Sequence, residues 1–262
     1  LADRALVRDR FGERGWEILD ARAAGFGSTG SAMKTAGSAW RGGHVPHALP
    51  ADFLAFLDEE GHLPPGPELR TLIGGIGPRP NTYVDLRAAF IVYDEGGAGA
   101  AARGYFVLRL AGIPEVRVYP GGWRDWSADP AAPRVRITTP EEVEQSLEAE
   151  GPLRDPAAPP RDFVLLDVRH DLDYAKGHLP GAVCLPAHQC ADSLATVLAR
   201  HWPGRDAAAL PAVVYCYGTD CIRSRNCATI LARRGFTRLE WLHTGIRGWL
   251  ALGGETVASP CR

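Results

Sequence analysis

Four landmarks occur twice in this chain, in the same order. A short apolar run ends in Asp20-Ala21-Arg22, and another ends in Asp167-Val168-Arg169. Gly43-His44-Val45-Pro46-His47-Ala48 returns as Gly177-His178-Leu179-Pro180-Gly181-Ala182. Residues 91–94 (IVYD) return as 213–216 (VVYC), and Gly121-Gly122-Trp123 with Trp126 returns as Thr244-Gly245-Ile246 with Trp249. The period is far longer than a solenoid repeat, so the chain is an internal duplication of a whole domain. Each copy alternates apolar runs of strand length with helical patterns. That order predicts an α/β unit with a mainly parallel sheet flanked by helices. With 262 residues, 45% of them apolar, the chain has enough material for two cores.

In chain order, residues 2–15 read as a helix and 16–20 (WEILD) as a strand. Residues 23–42, rich in Gly, Ala and Ser, read as a surface excursion. An amphipathic helix is expected over 51–60, a strand over 90–94, a helix over 100–110 and a strand over 116–119. Residues 127–160 are rich in Pro, Ala and acidic side chains. Thr139-Pro140-Glu141-Glu142 within them has the form of a capped helix start. The expected division is a first domain over 1–127, a connector over 128–160 with one helix docked on the second half, and a second domain over 161–262.

The stretch 211–235 carries the chemistry. Residues 212–215 form a short apolar run of strand length, which stops at Cys216. Tyr217, Gly218, Thr219 and Asp220 read as a turn. From Ile222 the period becomes helical, with Cys227, Ala228, Ile230 and Leu231 on one face, and Gly235 is placed to end the helix. A cysteine thus sits where a strand hands over to a helix. Loop amides and the helix N-terminus can converge there on an anion. A thiol in that position loses its proton more readily, helped by Arg223, as a nucleophile requires. The alternative is a small buried hydrophobe ending a strand, a common fate of free cysteine.

The segment resembles the active-site loop of the rhodanese sulfurtransferases. The likeness rests on Val213-Val214-Tyr215-Cys216, Arg223-Ser224, Cys227-Ala228 with Leu231, Gly235-Phe236, and Thr244-Gly245-Ile246 with Trp249. The doubled D-x-R and G-H-x-P-x-A motifs extend it over nearly the whole chain, in tandem form. The resemblance implies two rhodanese-like domains. It also implies a Cys216 that takes up a sulfane sulfur as a persulfide, a cradle of loop residues 217–223, and no cofactor or metal. The loop is two residues longer than the commonest type and carries a second cysteine, Cys216-x4-Cys221. Ile222 and Arg223 close this cradle, and Arg223 can meet an anionic donor. Cys221 is open to two roles, a resolving thiol or an inward anchor of the loop.

Asp94 stands in the first copy where Cys216 stands in the second. A carboxylate cannot carry a persulfide, so the first half is expected to be inactive. Asp167 and Arg169 are candidates to support the site, or simply a pair tying two loops. His178 and His44 lie in a motif that the resemblance makes structural. Asp173 occupies the position, four after Arg169, where thiosulfate- and mercaptopyruvate-using relatives often carry an Arg. That weighs against a small dianionic donor.

Other chemistries are weighed on the same residues. Cys216, Cys221 and His243 or Cys227 as zinc ligands lack the usual C-x2-C spacing. A phosphatase or arsenate-reductase loop would need C-x5-R, whereas here the arginine is one position further. A sulfur carrier or redox-sensing protein would load once and need a protein acceptor. Expected partners are a small sulfur donor and a cyanide or thiol acceptor, with a protein acceptor as an option. The net charge of −2 suggests neither nucleic acid nor a membrane surface. No apolar run reaches membrane-spanning length. All six cysteines fall in the second half, at 184, 190, 216, 221, 227 and 261. Two cores of this size do not require disulfides, so reduced thiols are expected, with Cys184, Cys190 and Cys227 packing in the interior. That setting favours the cytoplasm over the periplasm.

Overall fold

The structure is a computed structural model and describes residues 1–22, 38–76, 84–149 and 162–261. It divides into two units, Leu1–Ala132 and Pro133–Arg262.

The first unit runs α1 (Arg4–Arg10), β1 (Trp16–Asp20), α2 (Ser38–Arg41), β2 (Leu49–Pro50), α3 (Gly66–Gly74), β3 (Ala89–Tyr93), α4 (Gly99–Leu110), β4 (Val116–Tyr119) and α5 (Gly122–Ala128). Its strands lie in the order β2-β1-β3-β4, all parallel. The second unit runs β5 (Arg134–Thr138), α6 (Pro140–Ala149), β6 (Val164–Asp167), α7 (Asp171–Lys176), β7 (Val183–Cys184), α8 (Cys190–His201), β8 (Ala212–Tyr215), α9 (Arg223–Arg233), β9 (Arg238–Leu242) and α10 (Gly245–Ala251). Its order is β5-β9-β8-β6-β7, again all parallel. The shared order β2-β1-β3-β4 and β7-β6-β8-β9 gives the duplication its structural form. Every residue of β8 is buried, as expected of a central parallel strand covered on both faces.

Residues 133–149, expected within a connector, belong to the second unit. β5 extends the sheet beside β9, with Arg136 paired to Glu240 at 2.8 Å. Thr139 and Glu142 form a reciprocal cap: the Glu142 N–H donates to Thr139 Oγ1 and the Thr139 N–H to Glu142 Oε2. Val143 and Leu147, one turn apart on α6, then pack with Ile246 and Trp249 of α10. The first unit has the counterpart of this arrangement. The Ala2 N–H donates to the carbonyl of Val118 on β4, and Arg4 and Arg8 of α1 pair with Asp125 and Asp129. The repeat therefore begins upstream of the D-x-R strand in each copy, and residues 150–161 lie outside the described residues.

Other elements depart from expectation for local reasons. The helix expected over 51–60 is a 3-10 turn, Phe53–Phe56. Asp52 caps Leu54, and Asp58 accepts from Glu60 and His62, so short carboxylates offer the backbone an alternative to continued helix. α1 stops well before residue 15, and Gly12 at φ 69° turns the chain away. Most of the excursion over 23–42 lies outside the described residues, but its end forms α2 and buries Trp40.

Candidate active site

The D-x-R motif builds the same brace twice. In the second unit the fully buried Asp167 accepts from the Arg169 backbone N–H at 2.9 Å, from its guanidinium Nε at 3.0 Å and Nη2 at 2.6 Å, and from the Tyr215 hydroxyl at 2.7 Å. Arg169 also donates to the carbonyl of Gly177, and the Leu179 N–H donates to Tyr215. The end of β8 is thereby tied to the G-H-x-P-x-A turn. In the first unit Asp20, Arg22, Tyr93, Gly43 and Val45 make the corresponding bonds. Trp40 adds a donation to Asp20 there. Burial, and next the facing carboxylate, push both tyrosine hydroxyls well above their ordinary pKa, so they remain donors. The brace stands equally in the half without a cysteine, where it ties the strand end to the same turn. His178 is structural in the same sense. Its Nδ1 donates to the Tyr174 carbonyl at 3.0 Å, and its ring stacks on Tyr174 at 3.7 Å. Burial lowers its pKa. His44 stacks on Trp40 in the first unit.

One residue past the brace the two units differ. In the first, the Asp94 carboxylate accepts four backbone N–H groups: Gly96 at 2.9 Å, Ala98 at 3.3 Å, Ala100 at 3.0 Å and Ala101 at 3.1 Å. The loop after β3 and the first turn of α4 thus close around a negative charge, satisfying donors that a helix start leaves unpaired. In the second unit Cys216 holds the corresponding position, 1% exposed. Ile222, the residue before α9, offers no side-chain cap. Seven residues, 216–222, separate β8 from α9, against five, 94–98, between β3 and α4.

The loop is anchored on both sides. The Ile246 N–H donates to the Cys216 carbonyl at 3.0 Å and the Arg247 N–H to the Tyr217 carbonyl at 3.1 Å. Gly245 makes this approach possible: its φ is +58°, and a Cβ there would lie 2.4 Å from the Cys216 carbonyl oxygen. Gly122 holds the matching position against Asp94 with the same φ. At the other end of the loop, buried Ser224 accepts from the Trp241 indole at 2.8 Å, which pins the first turn of α9 to β9.

The loop side chains are disposed unequally. Tyr217 is half-buried, and its hydroxyl donates to Asp173. That bond holds the Asp173 carboxyl below its usual range, while burial, then the same bond, raises the tyrosine. The guanidinium groups of Arg169 and Arg223 each lie 5.8 Å from the Tyr217 ring centre. Gly218 is buried, Thr219 and Ile222 are half-buried, and Asp220 is exposed and paired with Arg247 at 3.0 Å. Arg247 and the Tyr217–Asp173 bond are features that sequence reasoning missed. Arg247 belongs to α10, thirty-one residues from Cys216 along the chain, and only its place two residues after the Gly245 turn hinted at a position beside the loop.

The cysteines correct the expectation of reduced thiols, although Cys184, Cys190 and Cys227 do lie buried in the interior as expected. All six are paired: Cys184 with Cys261, Cys190 with Cys227, and Cys216 with Cys221. The first ties β7 to the C-terminal segment, beside the bridge between His178 and Val257. The second joins α8 to α9. Their Cα separations, 5.4 and 6.0 Å, suit disulfides. These partners are distant in sequence, so no local spacing announced them. Cys227, bonded to Cys190, does not join Cys216, Cys221 and His243 in a metal site. Among the described residues no three His, Cys, Asp or Glu side chains are grouped to hold a metal ion. His243 is instead buried against Trp241, and burial lowers its pKa to about 4.

A parallel α/β sheet repeated twice, with a cysteine-bearing loop between a central strand and a helix, defines the class. The family model for the rhodanese-like domain matches residues 3–129 and again 139–252. The chain belongs to the rhodanese family, with two copies of its domain. The 3-mercaptopyruvate sulfurtransferase of Escherichia coli K12 is 31% identical over 121 residues, 43% of this chain and 38% of that protein. The thiosulfate sulfurtransferase of Azotobacter vinelandii is 29% identical over 175 residues, 57% of this chain and 59% of that protein. The chain thus spans about half the length of the curated relatives it matches. Among solved structures, the crystal structure of a 3-mercaptopyruvate sulfotransferase from Escherichia coli is 20% identical with a TM-score of 0.38, covering 94% of this chain and 98% of that one.

Proposed function

We propose that the second unit is a sulfurtransferase in which Cys216 carries the sulfur, and that the first unit does not turn over. The observation that carries this reading is the contrast at one position. In the first unit the strand-end residue is a carboxylate held by four backbone N–H groups. The second unit puts a cysteine at the corresponding strand end, so the anion its loop is suited to hold is a thiolate or a persulfide. The relatives named as sulfurtransferases support the same reaction class.

With the loop in its dithiol form, the Cys216 thiolate attacks the donor's transferable sulfur. The donor leaves with the bonding electron pair, and the new persulfide is held by amides of the loop 217–223. A thiophilic acceptor, cyanide or a thiol, then removes the outer sulfur and restores the thiolate. A protein thiol would serve as acceptor by the same chemistry. Asp167 and Arg169 support the reaction by fixing the end of β8. Asp173, held by the Tyr217 hydroxyl, weighs against a small dianionic donor. Thiocyanate formation from a sulfur donor and cyanide tests the assignment. Cys216→Ser is expected to abolish it and Asp94→Ala to leave it unchanged. Activity surviving in the serine variant would move the chemistry to another residue.

A further inference from the structure

We propose that Cys221 resolves the Cys216 persulfide, so that the sulfur leaves as hydrosulfide and a dithiol reductant closes the cycle. This rests on the sulfurtransferase reading and names the thiol that the site itself supplies to discharge the persulfide. Cys216 and Cys221 have Cα atoms 6.4 Å apart and are bonded to each other. Their pairing is local to the loop. The Cys221 N–H donates to the Gly218 carbonyl at 2.9 Å, a turn that folds Cys221 back toward the strand end. Both thiols are buried, at 1% and 4% exposure. An external acceptor must reach a sulfur that solvent scarcely touches, whereas Cys221 is already beside it. The other four cysteines are paired with one another, at β7 with the C-terminal segment and at α8 with α9. No third thiol among the described residues competes for the persulfide. The loop is two residues longer than its counterpart in the first unit, and that counterpart contains no cysteine.

The steps balance. The Cys216 thiolate bonds to the donor sulfur, and the donor departs with the electron pair, as sulfite from thiosulfate or as the enolate of pyruvate from mercaptopyruvate. Cys221 then attacks the inner sulfur of the persulfide. The Cys216–Cys221 bond forms, the outer S–S bond breaks, and the outer sulfur takes the electron pair and the Cys221 proton to leave as hydrosulfide. The sulfane sulfur is reduced by two electrons, and the two thiols are oxidised to the disulfide. A small or protein dithiol reduces that disulfide by two successive exchanges and is itself oxidised to a disulfide. The bonded form of the loop is then the oxidised end of the cycle. It also protects Cys216 from oxidation beyond the disulfide level.

The test is a single turnover of the full-length protein. The protein is first treated with only enough dithiothreitol to free two thiols per chain, with Cys184–Cys261 and Cys190–Cys227 kept bonded as checked by peptide mapping. It is then freed of the reductant and given thiosulfate or mercaptopyruvate with neither cyanide nor added thiol present. Sulfite or pyruvate reports loading. The expected result is one hydrosulfide released per loaded chain, an intact mass lower by two hydrogens than the reduced protein, and a 216–221 crosslink in the peptide map. Those Cys221→Ser chains that load are expected to keep the mass of one added sulfur atom and to release no hydrosulfide. Wild-type protein that retains the added sulfur without releasing hydrosulfide would overturn the proposal while leaving the sulfurtransferase reading intact. So would a Cys221→Ser variant that releases as much as wild type. Absence of sulfite, pyruvate and thiocyanate from every donor would defeat both readings. The wild-type arm decides the question even if the variant misfolds.

Discussion

Substitution of Gly245 by alanine isolates the contact that holds the cysteine loop in place. Gly245 has φ +58°, where an L-residue costs about 1–2 kcal/mol more than glycine. The added Cβ would meet the Cys216 carbonyl oxygen at 2.4 Å and the Gly218 nitrogen and Tyr217 carbonyl carbon at 2.7 Å. All three are backbone atoms and cannot swing aside. Restoring ordinary contact moves the loop or α10 by about 1 Å. The shift stretches the hydrogen bonds from Ile246 and Arg247 to the carbonyls of Cys216 and Tyr217. The combined cost to the second unit is about 2–4 kcal/mol. A displacement of about 1 Å at a reacting group lowers turnover on the order of 100-fold. Gly122→Ala is the internal control. It has the same φ, and its Cβ would meet the Asp94 carbonyl oxygen at 2.4 Å and the Gly96 nitrogen at 2.6 Å. It should destabilise the first unit by a similar amount and leave sulfur transfer unchanged. Urea unfolding followed by tryptophan fluorescence reads stability, analysed unit by unit where the transitions separate. Thiocyanate formation by the native fraction reads activity. Full turnover in Gly245→Ala, or an equal loss in Gly122→Ala, would refute the reasoning.

Two further outcomes follow from burial and from cross-linking. His243 is neutral in the fold, its pKa lowered by burial from 6.5 to about 4. The unfolded chain therefore binds the extra proton first, and stability is lost as pH falls from 6.5 toward 4, by about 3 kcal/mol in all. Urea midpoints between pH 7.5 and 5.5 should fall in wild type and fall less in His243→Gln; equal slopes would remove His243 as the cause. The Cys190–Cys227 bond closes a separation of 37 residues, so chain entropy assigns it about 4 kcal/mol. The double variant Cys190→Ala/Cys227→Ala should lose stability of that order while still forming thiocyanate at low temperature, and an unchanged unfolding midpoint would mean that the bond constrains nothing.

The duplication, the parallel α/β class and the strand–cysteine–loop–helix order around Cys216 were legible in the sequence. These are local matters. An apolar run of strand length, a change of period at Ile222, and the order of four short motifs are all read from neighbouring residues. The sequence also marked Asp94 as the difference between the halves, because two copies of one pattern can be compared position by position. Tertiary structure decided what depends on residues far apart in the chain. The Tyr215–Asp167–Arg169 brace was readable as motifs but not as bonds, which tie the strand end in both units. β5 looked like connector because a five-residue strand at a sheet edge carries little hydrophobic signal until β9 is beside it. The four amides that close around Asp94 could be located only in the structure. Two of the three cysteine pairings could not be read from spacing either; only Cys216-x4-Cys221 was marked by it. The separations of 77 and 37 residues close only when the sheet brings β7 beside the C-terminal segment and α8 against α9, and composition says nothing about which sulfurs the fold sets within bonding distance.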